Sequence, residues 1–213
     1  MLEVSNLACT RGDRTLFRDV SFKLEAHGLL HVAGTNGSGK TTLLRMVCGL
    51  GAPDGGVVRW RGNPIRTLRE SYWREVVYIG HANALKDDLS ATENLLVAST
   101  LAGCAITRDE ALHALSSFGL AACAHLPVRA LSQGQKRRSA LARLSLSDQL
   151  PLWILDEPFS ALDVDAVNHL DKLILAHVDG GGNVIFTTHQ FASISTSITQ
   201  RVDLDAVGDK LTC

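Results

Sequence analysis

Three short, uninterrupted apolar runs stand out along the chain: residues 28–34 (GLLHVAG), 151–157 (PLWILDE) and 183–189 (NVIFTTH). Continuous apolar runs of this length predict strands buried on both faces, as in a parallel core sheet. Residues 2–7, 15–24 and 57–61 alternate only in part and are punctuated by the turn formers RGD, HG and APDGG, which predicts an antiparallel flank. Between these regions, residues 93–126 and 135–146 carry apolar positions at helical spacing, for example Leu112, Leu115 and Phe118, and predict an inserted helical subdomain. A further helix over 164–178 would present Val167, Leu170, Ile174 and Val178 on one face and stop at Gly180, Gly181 and Gly182. The pattern therefore reads as one α/β domain, 1–213, with a core of about 1–81 and 151–213 and a helical subdomain of about 82–150.

The strand at 28–34 runs directly into Gly34, Thr35, Asn36, Gly37, Ser38, Gly39, Lys40, Thr41 and Thr42, which match G-x-x-x-x-G-K-[ST] between a strand and a helix. Glycines at this spacing let backbone N–H groups curl around phosphates, and the following helix adds its positive N-terminus. Lys40 then reaches the β- and γ-phosphates, and the Thr41 hydroxyl is placed to ligate Mg²⁺. At the end of the second buried run, Asp156 can complete a Mg²⁺ shell and Glu157 can polarise an attacking water. Together these readings give a site for the phosphates of a nucleotide and for Mg²⁺. Three further segments carry chemistry only in combination: LSQGQ (131–135), SALD (160–163) and TTHQ (187–190).

Composition narrows the picture further. A chain of 213 residues, 46% hydrophobic with net charge −1, supports one large core and offers no polyanion-binding footprint. The basic run Lys136, Arg137, Arg138 reads as a solvated helix face, with no nucleic acid partner. Cys9, Cys48, Cys104, Cys123 and Cys213 lack metal-ligand spacing and read as reduced thiols. Trp60, Trp73, Trp153 and His31 read as packing residues. With no apolar window approaching the roughly 18 residues of a spanning helix, membrane contact is expected through a partner.

Taken in order, residues 34–42, 131–135, 153–158, 160–163 and 187–190 resemble the nucleotide-binding domain of ABC transporters over nearly the whole chain. That resemblance implies a RecA-like core, an inserted α-helical subdomain and a head-to-tail homodimer that sandwiches two ATP. In such a dimer Ser132, Gly134 and Gln135 would cover the γ-phosphate held by the partner's P-loop, and His189 would act beside the catalytic Glu157 as a switch histidine. Within the family, residues 8–22, 78–95 and 131–163 are similar to the ATPase subunits of the cytochrome c maturation complex, or haem exporter. This implies integral membrane partners and a peripheral position on the cytoplasmic side of the bacterial inner membrane.

The sequence departs from the family pattern at three places. Gln133 replaces a small residue in the signature. Arg11 stands where relatives place an aromatic under adenine; its guanidinium can stack on a base, or it is a plain turn residue. His81 stands where relatives carry a glutamine; as a neutral imidazole it could order a Mg²⁺-bound water. The polar middle of 82–95, with Lys86, Asp87, Asp88 and Ser90, reads as an exposed loop without a core role, suited to docking a membrane subunit. Export of another substrate is the alternative reading. A repair or translation ATPase would usually carry a coiled-coil insertion or a second cassette, and a non-catalytic module would have lost Lys40, Glu157 or His189.

Overall fold

The computed structural model describes residues 1–189 and 197–208; Gln190 and Cys213, both considered above, lie outside the described residues. Chain order is β1 (Leu2–Arg11), β2 (Arg14–Leu24), β3 (Leu29–Ala33), α1 (Lys40–Val47), β4 (Gly55–Trp60), β5 (Asn63–Pro64), the one-turn α2 (Ile65–Leu68) and α3 (Glu70–Trp73), and β6 (Val76–Ile79). There follow α4 (Ala91–Leu101), α5 (Arg108–Ser117), α6 (Gln133–Leu141), β7 (Leu152–Leu155), α7 (Val164–Asp179), β8 (Asn183–Thr187), β9 (Gln200–Asp203) and α8 (Leu204–Gly208).

The strands form two sheets. An antiparallel sheet runs β2-β1-β4-β5, and a parallel sheet runs β6-β7-β8-β3-β9. The three continuous apolar runs are indeed β3, β7 and β8, and they occupy three adjacent interior positions of the parallel sheet. Their successive side chains enter different cores. Leu29, Trp153, Leu155, Val184 and Phe186 join the helical segments Leu95, Leu115, Phe118, Leu170 and Ile174. Leu30, Val32, Leu152, Ile154 and Ile185 join α1 and the antiparallel sheet through Leu43, Val47, Phe17 and Trp60. A strand with a core on each side has no polar face to offer, which is why these runs lack alternation.

The helix at α7 buries Leu170, Ile174 and Val178 and leaves Val164 75% exposed. Its N-cap is Asp163, whose side chain accepts from Ala166 N, and Gly180 ends it. Besides the two-residue β5, two strands were not legible in the pattern: β6, which pairs with β7, and β9, which pairs with β3. The first is only four residues long, and the second (QRVD) is mostly polar because it sits at the sheet edge.

One packing expectation is corrected. Trp60 and Trp153 are buried, but Trp73 is 53% exposed, held at the surface by its indole N–H donating to Cys48 O. The loop before α4 is exposed at Lys86, Asp87 and Asp88, as expected, and is tied to its surroundings. Asn94 is buried and bonds the backbone of Lys86 in both directions, Asp88 pairs with Arg129, and Val128 N donates to Leu89 O. Ser90 and Glu93 then close a capping box that starts α4.

Candidate functional site

The loop from 34 to 39 leaves β3 and delivers Lys40 as the first residue of α1. Gly39, the N-cap, has φ +103°, and a Cβ there would stand 2.9 Å from the buried Phe17 ring, so only glycine fits. Gly34 has φ +145°, and a Cβ would stand 2.4 Å from Ser38 Oγ. Thr35 is fixed from the far end of the chain: Asp205, in α8, accepts from its backbone N–H at 2.7 Å and from its hydroxyl at 3.0 Å. Nothing in the sequence around Asp205 announces that contact.

Lys40 is 8% exposed, and its ammonium donates to Gly34 O at 2.8 Å and Thr35 O at 3.1 Å. The same Nζ lies 3.1 Å from His189 Nε2. Because an ammonium only donates, that imidazole nitrogen is the acceptor in this contact. His189 Nε2 is also 3.4 Å from Glu157 Oε1, and the His189 backbone N–H donates to Glu157 Oε2 at 3.3 Å. Lys40, His189 and Glu157 thus form one chain of contacts.

Asp156 and Glu157 follow β7 at the carboxyl end of the parallel sheet, where ligands of open α/β sheets bind. Asp156 is 1% exposed; its Oδ1 accepts from the Thr187 hydroxyl at 2.8 Å, and its Oδ2 has no hydrogen-bond partner. Thr187 Oγ1 in turn accepts from Glu157 N at 2.8 Å. Glu157 itself has φ +49°, the left-handed region in which a non-glycine residue is strained. Beside them, burial and the Asp156 charge push the Tyr78 phenol up to about 12.

One cavity of about 450 Å³ brings most of these side chains together. It is lined by Arg11, Leu16, Asn36, Gly37, Gly39, Lys40, Thr41, Thr42, His81, Asp156, Glu157 and His189. Arg11, at the end of β1, and His81, after β6, are both exposed, and both face this space. Gly34, Thr35 and Ser38 build the loop without lining the cavity.

Ser132, Gly134 and Gln135 are not brought to the cavity. They open α6, where Ser132 Oγ accepts from Gln135 N at 3.2 Å and Ser132 N donates to Gln135 Oε1 at 2.8 Å. Ser132 and Gln133 are exposed, and a Cβ on Gly134 would stand 3.1 Å from Ala161 O, so the signature packs closely on the SALD segment.

The basic run behind the signature contradicts its expected role. Arg137 is 3% exposed, not solvated. Helical spacing turns it inward while Lys136 and Arg138 keep partly exposed positions beside Asp87 and Asp163. Burial pushes its guanidinium down from the usual arginine range, against the opposing pull of the Asp156 and Glu157 charges. The sequence contains no signal for this residue, since three of its four acceptors are backbone carbonyls and the fourth is the Asn83 amide oxygen.

Comparison with known proteins agrees with this geometry. The ABC transporter family matches residues 17–160. The chain is 48% identical over 204 residues, 96% of its length and 100% of the relative's, to the Cytochrome c biogenesis ATP-binding export protein CcmA of Dechloromonas aromatica (strain RCB). It is 50% identical over 196 residues, 92% of each chain, to the protein of the same name from Nitrosomonas europaea. The solved structure of an ATP binding subunit of an ABC transporter superposes with a TM-score of 0.83 at 26% identity, covering 95% of this chain and 85% of that one. With its phosphate loop, its paired carboxylates at the sheet's carboxyl end and these relatives, the chain belongs to the ABC transporter family as an ATP-binding, ATP-hydrolysing subunit, in the group of cytochrome c biogenesis ATP-binding export proteins.

Proposed function

We propose that this chain hydrolyses ATP to drive the haem-handling export step of cytochrome c biogenesis, as one half of a homodimer attached to integral membrane subunits. The observation that carries the reading is the convergence of Lys40, Thr41, Asp156, Glu157 and His189 on one cavity. The nearly full-length likeness to export proteins of cytochrome c biogenesis supports the pathway.

ATP phosphates entering the loop compete with Gly34 O and Thr35 O for the Lys40 ammonium. As Lys40 turns to them, His189 Nε2 is released from its donor and left beside the γ-phosphate and Glu157. Glu157 accepts the proton of the attacking water, and the backbone N–H groups of the loop hold the charge that develops on the phosphate. The donor set also fits Mg²⁺: Asp156 Oδ2 is buried without a partner, and the Thr41 hydroxyl lines the same cavity. Asp156 and Thr41 offer oxygens that would hold such a small hard cation, which when bound would neutralise phosphate charge. His81 would act on that ion through water, since imidazole is a poor direct ligand for magnesium.

Ser132, Gly134 and Gln135 present an exposed helix N-terminus away from their own chain's cavity, and in the proposed dimer they cover the γ-phosphate of the partner subunit. Arg11 and Leu16 form the wall for the adenine ring. Among the described residues no helix is long and apolar enough to cross a membrane, so in this reading the chain is peripheral, at the cytoplasmic face of the inner membrane. The proposed division takes 1–81 and 151–213 as the nucleotide-holding part and 82–150 as the helical part, which packs on the first through Leu29, Trp153 and Phe186.

Two measurements test the proposal. The purified chain should release phosphate from ATP with Mg²⁺, and Lys40→Ala should not. A bacterium lacking the gene should lose covalent haem on c-type cytochromes yet keep its b-type cytochromes; normal c-type maturation would overturn the pathway while leaving the ATPase.

A further inference from the structure

Arg137 lies at the meeting point of three segments that the reaction needs. One guanidinium nitrogen, Nη1, donates to Gly80 O at 2.8 Å and Asn83 Oδ1 at 3.3 Å. The other, Nη2, donates to Asp156 O at 3.0 Å and Glu157 O at 2.8 Å. Gly80 and Asn83 flank His81. Arg137 itself belongs to α6, the helix whose first turn is the Ser132 signature.

Burying a guanidinium is costly unless its donors are satisfied; here Nη1 and Nη2 are, by three main-chain oxygens and the Asn83 amide oxygen from two different loops, while Nε has no hydrogen-bond partner. The Glu157 peptide needs such support. Its φ of +49° is unfavourable for a glutamate, and the turn is clamped on its N–H by Thr187 and on its carbonyl by Arg137. A lysine has one ammonium on a flexible stem and cannot fork across both sets of carbonyls, and a glutamine reaches fewer still.

We propose that Arg137 is a positioning residue for hydrolysis: it fixes the Glu157 turn and the 80–83 segment to the signature helix, so that turnover depends on it although it touches no phosphate. Closure of the signature over a nucleotide then bears directly on the base and on His81. The inference rests on reading Glu157 as the residue that activates water.

The test uses the full chain with Arg137→Lys, Arg137→Gln, Glu157→Gln and the Arg137→Lys/Glu157→Gln double variant. ATP affinity by calorimetry and KM should stay within about twofold of wild type. A misplaced catalytic group commonly loses about 10²-fold, so kcat should fall about 10²-fold in Arg137→Gln and less, about tenfold, in Arg137→Lys. In the Glu157→Gln background Arg137→Lys should cost less than about twofold more, because the group it positions is already gone. Thermal melting checks folding; if the Gln variant does not fold, the Lys variant and the double variant carry the test. A wild-type kcat in Arg137→Lys, or losses that multiply in the double variant, would overturn the proposal. Full activity in Glu157→Gln alone would instead remove the reading of Glu157, and the role of Arg137 with it.

Discussion

Residues 34–42 and residues 132–135 both stand at helix N-termini, yet the chain treats them in opposite ways. The first is drawn inward: Lys40 is nearly buried, its ammonium is held by the carbonyls of its own loop, and its neighbours line the cavity with Asp156, Glu157 and His189. The second is left outside. Ser132 and Gln133 are exposed, and the signature's side chains answer each other through the Ser132–Gln135 capping box. A helix N-terminus attracts anions wherever it lies, so the difference is in what surrounds it. One has a cation, a hydroxyl and carboxylates within reach; the other has only itself, as expected of a surface completed by another molecule.

The sharpest way to break this comparison is at the carboxylate. Glu157→Gln keeps the size of the side chain and removes the carboxylate proposed to accept the water's proton, so kcat should fall by about 10²–10⁴-fold with ATP affinity nearly unchanged. Equal losses in kcat and affinity would place Glu157 in binding instead. Lys40→Ala removes the cation proposed to bind the phosphates, and ATP affinity measured by calorimetry should fall by about 10²-fold, the scale of losing charge-assisted hydrogen bonds. Ser132→Arg should do the reverse of Lys40→Ala: binding by the isolated chain stays within about twofold, while hydrolysis falls about tenfold or more. A lost ATP affinity in Ser132→Arg would mean that the signature belongs to its own chain's site, and the contrast drawn here would disappear.

The smallest effect lies away from both regions. His177 stacks on Trp153 with ring centroids 3.8 Å apart, and burial lowers it to about 4. The unfolded chain takes up that proton near the ordinary value of about 6.5. The contribution is therefore complete above pH 6.5 and is lost as pH falls from there toward 4, costing on the order of 1 kcal/mol. Urea unfolding of wild type and His177→Gln at pH 7 and pH 5 should show a smaller pH dependence in the variant. Parallel curves would show that His177 contributes nothing to it.

How much of this was legible in the sequence follows from what each feature is made of. The phosphate loop could be read because its glycines answer a backbone requirement, as the positive φ of Gly34, Gly37 and Gly39 shows. The three inner strands could be read because having a core on each side leaves no polar alternation. Arg137 could not, since one buried arginine between Lys136 and Arg138 looks like a solvated run, and all but one of its partners are main-chain carbonyls, which have no side-chain signature. Asp205 was hidden for a similar reason: it bonds Thr35 across 170 positions of sequence. The ties of residues 86–90 could not be read from composition, because the side chain that makes them, Asn94, sits inside the helix that follows.

The central claim is that catalysis needs the exposed signature of one chain over the cavity of another. It is tested most directly by sedimentation velocity of Glu157→Gln with saturating ATP and Mg²⁺, where ATP is bound but hydrolysed slowly. The account predicts an ATP-dependent dimer that disappears when Ser132→Arg is added to the same chain. A species that stays monomeric with ATP bound, while the wild-type monomer hydrolyses ATP at a rate per chain independent of protein concentration, would contradict it.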